Sequence, residues 1–243
     1  MFLKAGLLSL LLLLASRVLG VLRETALAAA FGSSGMADVA IVMLTLPDWL
    51  AGVLVSGALA YVLLPQWAQE SAAQQNATQN QVTRRLLWGS LVLAGLMCAA
   101  QGPVAALLVP GASAALQGAA SNAVVWSALA LPAAMLAGLW ATRLQHERDF
   151  VGLYSANLVV NGVLIAALLL LGFHGAEPGA GQTLGVFLLM AVVLRLLWQG
   201  WRMRHLRRNA LPVASPSLAP PLQLPGWRCL LYTSPSPRDQ RGS

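Results

Sequence analysis

Beyond Lys4, five charged side chains fall within the first 48 residues of a sequence that is otherwise poor in charge: Arg17, Arg23, Glu24, Asp38 and Asp48. All lie in or at the edge of apolar stretches. An Arg or Asp at the centre of a membrane helix costs roughly 2.5 to 3.5 kcal/mol, so each of these groups must face a protein interior, a wet cavity or an opposite charge. Two readings compete. In the first the charges pair among themselves, Arg23 with Glu24 or Asp38 and Arg17 with Asp48 across a helical hairpin. In the second they line a cavity that holds a ligand. Two cations and three acids in one hairpin exceed what packing requires, which favours the cavity. Arg17 and Arg23 are six residues apart, ~120° around a helix, so they need not touch the same ligand group, while Gly20 leaves space beside Arg17. Asn157 and Asn161, four apart on one helix face, suit hydrogen bonds between helices.

Bond-breaking chemistry lacks its parts. No Ser/His/Asp set, cavity carboxylate pair or HExxH pattern occurs, and His146, His174 and His205 fall in loops or flanks, where a solvated histidine is expected. Cys98 and Cys229 have neither metal-ligand nor disulfide-framework spacing. The expectation is a protein with no catalytic residue, no metal and no cofactor.

The elements that must position these charges are membrane helices. Hydrophobic residues make up 58% of the chain and charged residues 9%, with a mean hydropathy of +0.69; soluble domains carry about a quarter charged residues, so lipid is the solvent here. The apolar residues form six blocks, 7–31, 39–64, 86–108, 123–144, 151–173 and 183–201, each long enough to cross a ~30 Å hydrocarbon core. The net charge of +7 would point to nucleic acid in a soluble protein. Here Lys4, Arg84, Arg85, Arg143, Arg148, Arg202, Arg204, Arg207 and Arg208 fall at alternate connections, and segments 32–38, 109–122 and 174–182 hold no Lys or Arg. This is the positive-inside pattern, which puts both ends of the unit in the cytoplasm and excludes nucleic acid as the reason for the charge. Trp88, Trp126, Trp140, Trp198 and Trp201, near block ends, read as interfacial anchors. Pro47, Pro65 and Pro132 bend or break helices and expose carbonyls. A cleaved signal peptide is the alternative for the first block, but apolarity resumes after Glu24 and its removal would upset the alternation.

Residues 1–208 thus form a six-helix lobe, all-α and polytopic. Residues 209–228 are Pro-rich and nearly uncharged, an extended linker toward a second lobe. The stretch CLLYTSPSPRD at 229–239 is the translation of a nucleotide string that resembles a transposase sequencing adapter, so 229–243 is expected to be foreign to the gene product.

The residues Ser16-Arg17-Val18-Leu19-Gly20-Val21-Leu22-Arg23-Glu24, then Phe31-Gly32, Ala37-Asp38, Leu46-Pro47-Asp48, Gly57-Ala58 and Pro65 follow one another in a familiar order. They resemble the N-terminal signature of the MurJ/MviN lipid II flippases, which reads SRxLGxxRD, FG, TDAF, LPNLLRR, EGA and VP. Leu131-Pro132, Leu144-Gln145, Arg148 to Phe150, Asn161 and Gln199 look like the family's fourth to sixth helices, so the resemblance extends over residues 1–228. It implies one lobe of a two-lobe exporter whose central cavity opens alternately to each side of the bacterial inner membrane. The implied substrate is an undecaprenyl-pyrophosphate-linked glycan. Arg17, Arg23 and Asp38 match the family's charged cavity positions, and forked guanidinium donors suit a diphosphate. The pattern is broken where the family's two arginines fall on Ala51 and Gly52, its Asn on Asp48 and its Glu on Ser56. These departures turn the first hairpin net anionic. They leave open another polyprenyl-linked glycan, or another amphiphile exported on the same fold. The remaining alternative is a scaffold that does not transport and whose basic run 202–208 recruits anionic lipid or cell-wall synthesis proteins. Substrate-binding candidates are Arg17, Arg23, Asp38 and Asp48, and the partners are the lipid-linked glycan, membrane lipids and cell-wall synthesis proteins.

Overall fold

The computed structural model describes residues 2–32, 34–174 and 179–209, and the side chains within 7–32, 34–172 and 179–206. The segments 210–228 and 229–243, where the linker and the foreign tail were expected, lie outside the described residues. Every element described is helical: α1 (Phe2–Phe31), α2 (Gly35–Ala51), a π-helical segment (Gly52–Leu59), α3 (Ala60–Gln69), α4 (Ala72–Ala99), α5 (Gln101–Leu108), α6 (Ala114–His146), α7 (Phe150–His174) and α8 (Ala180–Asn209). In hydrocarbon only a helix satisfies each backbone group within its own segment, which is why the apolar blocks fold this way.

The breaks between helices have local causes. Gly32 ends α1 with φ +60°, a left-handed turn that lets its N–H reach the Ala28 carbonyl at 2.8 Å. Ser71 caps α4 through a reciprocal pair with Gln74, so α4 starts well before the apolar block at 86, and Arg84 and Arg85 lie inside a helix rather than ahead of one. Pro47 has no N–H to give the carbonyl of Met43. That carbonyl is instead reached by the hydroxyl of Ser127 on α6, at 2.9 Å in a buried position. The π-helical turns then follow, and α2, this segment and α3 run on as one continuous helix, Gly35–Gln69.

Five stretches among the described residues are long and apolar enough to cross a membrane: Gly35–Gln69, Ala72–Ala99, Ala114–His146, Phe150–Gly172 and Ala180–Leu206. The count is five where six were expected. The one not among them is α1, where every 18-residue stretch of 7–31, the part whose side chains are described, includes Arg17, Arg23 and Glu24.

Helix α6 is the hub. It packs along α2, α4, α5 and α8, and its small residues let neighbours approach closely. A Cβ on Gly138 would stand 3.3 Å from Val55 of the π-helical segment, and one on Gly200 of α8 would stand 2.5 Å from the Trp140 ring of α6. Trp126 of α6 fills the matching notch at Gly185. Trp126 and Trp140 are therefore helix-packing residues and not interfacial anchors. Trp198 donates to the Gly152 carbonyl at 3.2 Å, while Trp88 and Trp201 do stand exposed as anchors would. Helix α1 lies along α7, not in a hairpin with α2, which it touches only briefly. Asn161 on α7 donates to the Ser16 carbonyl at 3.4 Å, joining the two helices.

Candidate functional site

The ends of α1, α2, α6 and α8 meet around one cavity of about 270 Å³, lined by residues that include Phe31, Met36, Met43, Asn122, Gln182 and Leu184. None of the four charged candidates lines it. They are placed instead by their distance from this end of the lobe. Arg17 precedes Phe31 by 14 residues, and Asp48 follows Gly35 by 13, so at 1.5 Å per residue both lie on the order of 20 Å down their helices. Arg23 is higher by ~9 Å and Asp38 by ~15 Å. The four do not form one cluster.

Each has a different setting. Arg17 is exposed and makes no hydrogen bond or ion pair among the described residues, and a Cβ at Gly20 beside it would meet nothing within 4 Å. Arg23 is held by its neighbour Glu24, with Nη2 donating to Oε1 at 2.5 Å and Nε at 3.2 Å, which fits the pairing reading for that residue. Asp38 is exposed in the first turn of α2, where the helix dipole favours a carboxylate. Asp48 does not meet Arg17. Its Oδ1 accepts from Nη1 of Arg195 on α8 at 3.0 Å.

Arg195 is a charged residue that reading by block ends passes over. The signal was present, because it lies between Leu194 and Leu196 in a stretch, 180–201, with no other charged residue, and the rule that singled out Arg17 applies to it equally. One turn on, Gln199 is fully buried with neither amide atom hydrogen-bonded, so this face of α8 stays polar beyond Arg195.

The other end of α6 carries a second polar group. Arg143, only 4% exposed, lies over the Trp67 ring at 5.0 Å from its centroid. Its Nη2 donates to Gln75 Oε1 and to Glu147 Oε1, both at 2.7 Å. Gln75 reaches back to the carbonyls of Trp67 and Glu70, and His146 stands edge-on to Trp67 at 5.7 Å. Arg143 is thus an interior packing residue rather than only a topology marker, and His146 is half-buried in that contact, not solvated. In the connection that follows, Asp149 caps α7 by accepting from the Gly152 N–H at 3.1 Å and pairs with Arg202 through two bonds of 2.6 and 2.9 Å.

The family model for the lipid II flippase MurJ matches residues 27–216, most of the chain. The chain belongs to the MurJ family. Neither a curated protein nor a solved structure matches it. MurJ proteins are lipid II flippases, transporters rather than catalysts, and together with the five apolar helices this makes the chain a multi-pass inner-membrane protein of peptidoglycan biosynthesis. The matched span contains Asp38, Asp48, Arg143, Asp149 and Arg195. Arg17 and Arg23 precede it.

Proposed function

We propose that this chain forms one lobe of a flippase that carries an undecaprenyl-pyrophosphate-linked glycan, lipid II or a relative of it, across the cytoplasmic membrane. Transport proceeds by alternating access, the lobe rocking against a second one around a site near the midplane. No bond is made or broken and no cofactor is required. The observation that carries this reading is the setting of Arg17, an exposed guanidinium without a partner among the described residues, ~20 Å along an apolar helix and beside the open space at Gly20. Facing lipid it would be costly; facing a wet cavity that takes a diphosphate, it is stabilised. Arg23, tied to Glu24, adds a weaker second cation nearer the cavity end of the lobe. Asp38 repels phosphate, so its role is with hydroxyl or amide groups of the glycan. Both ends of the lobe are cytoplasmic in this reading, on the strength of the cations at alternate connections.

The test is complementation in flippase-depleted cells by the intact gene, with Arg17→Ala and Arg23→Ala. Loss of growth with normal membrane levels of the protein is expected for Arg17→Ala, with a milder defect for Arg23→Ala. Full complementation by both variants would remove the cavity role. A different polyprenyl-linked glycan is the second reading, favoured by Ala51 and Gly52 at the two positions where the family signature carries arginines. Flipping assays in vesicles with two such glycans separate the readings. The scaffold alternative loses support because Arg202, the first cation of the basic run, is already committed to Asp149.

A further inference from the structure

The Asp48–Arg195 pair is built unlike the other ion pairs of the lobe. Arg23–Glu24 joins sequence neighbours, Arg143–Glu147 joins successive turns of one helix, and Arg202–Asp149 is a two-bond fork closing a connection. Asp48–Arg195 instead joins α2 and α8 at positions where those helices hardly touch, through one bond of 3.0 Å. Its two members are also unequally placed. The Arg195 side chain is 15% exposed and the Asp48 side chain 47%. Arg195 gives Asp48 Nη1 alone, although guanidinium and carboxylate ordinarily meet as a fork in which a second nitrogen also donates. The fork is left half filled, and the partner is the more exposed member of the pair.

We propose that Arg195 is an anion-binding residue whose site Asp48 fills until a phosphate-ester oxyanion displaces it. In the empty lobe Asp48 neutralises the cation, which makes an arginine tolerable ~22 Å along α8, counted from Ala180. An incoming phosphate brings two or more oxygens in the geometry of the fork, so it takes Nη1 and Nη2 together, which the single Asp48 bond does not. The carboxylate it releases is already half-exposed. The exchange moves no covalent bond and no proton. The ligand class is an anionic phosphate ester carried by a lipid, and its two sources are a polyprenyl diphosphate, if the flippase reading holds, and the headgroup of a membrane phospholipid. Residue number places Arg195 and Arg17 at nearly one depth, so the first source would meet both cations. To that extent the proposal rests on the proposed function.

The experiment uses the full chain in nanodiscs of neutral lipid, with undecaprenyl pyrophosphate and phosphatidylglycerol titrated separately and thermal melting recorded for every variant. Asp48→Asn removes the competitor and is expected to tighten binding by about threefold to tenfold. Arg195→Gln is expected to weaken it by about tenfold, the scale of one charge-assisted contact, and Arg195→Lys, which keeps the charge without the fork, to fall between. In the Arg195→Gln background, Asp48→Asn should change nothing further. A purely structural pair gives the opposite pattern: both single variants lower the melting temperature alike, and Asp48→Asn fails to tighten binding. That result overturns the proposal even where Arg17→Ala still abolishes undecaprenyl pyrophosphate binding and so upholds the flippase reading. Binding of phosphatidylglycerol alone, dependent on Arg195, would keep the anion site and overturn the flippase reading. Binding of neither lipid overturns both.

Discussion

Two groups of arginines in this lobe are treated in opposite ways. Around α6 and the connection to α7, Arg143 is enclosed by an indole face, an amide and a carboxylate, and Arg202 is forked onto Asp149. Along α1, α2 and α8, Arg17 has no partner among the described residues, and Arg195 has a single bond to a half-exposed acid. Both regions mix arginines with acids, and composition alone cannot tell them apart. What separates them is how far the protein itself encloses the guanidinium. An arginine enclosed by its own chain holds helices together; one left open to its surroundings is available to something that arrives from outside.

If this contrast is sound, removing the enclosed cation should unfold and removing the open one should not. Arg143→Ala strands Glu147 and opens a void over Trp67. A destabilisation of about 2–4 kcal/mol is expected, since a buried hydrogen-bonded charge is lost together with its packing, and thermal melting in detergent would register it. Arg17→Ala should melt within about 0.5 kcal/mol of the parent, as surface changes do, while abolishing complementation. An unstable Arg17→Ala protein, or a wild-type melt for Arg143→Ala, would break the comparison. Arg202→Ala comes next in size, about 2–3 kcal/mol, because Asp149 stays buried with only the Gly152 N–H to satisfy it. A Gly200→Val change tests the packing around the same end. The Cβ alone would stand 2.5 Å from Trp140, and overpacking of this kind costs about 1–3 kcal/mol.

How far the sequence foretold these regions follows from the physics of each signal. Apolar runs announce membrane helices because lipid offers no partner for a bare backbone, and so the helical blocks were legible. The polar first half of α4 was not, since apolarity was the signal followed, although the Ser71 and Gln74 capping pair stood in the sequence. Which helices pair was harder still. Proximity in sequence suggested α1 with α2, and the structure pairs α1 with α7 through Asn161 and Ser16. Lipid gives apolar faces no preference among neighbours, so the choice falls to small residues and a few polar contacts on distant segments. Trp126 and Trp140 show the same limit, because the glycines that receive them lie on α8. At the site, Arg17 was recognisable from its cost in hydrocarbon. The partner of Asp48 was not, as it lies 147 residues away.

The smallest expected effect lies at Gly20, one turn from Arg17, and it bears on the open side of the contrast. Nothing stands within 4 Å of where its Cβ would be, whereas the glycines facing Trp126 and Trp140 admit no side chain at all. Gly20→Ala should therefore leave the fold unchanged or stabilise it by up to about 1 kcal/mol, since alanine loses less freedom in a helix than glycine. Gly20→Leu puts a bulky apolar group into the same space. If that space belongs to the path of a lipid-linked diphosphate toward Arg17, Gly20→Leu keeps the parent's melting temperature and loses complementation, while Gly20→Ala keeps both. If the space merely faces bulk lipid, leucine there is as harmless as alanine, and the open face of α1 is not where the substrate travels.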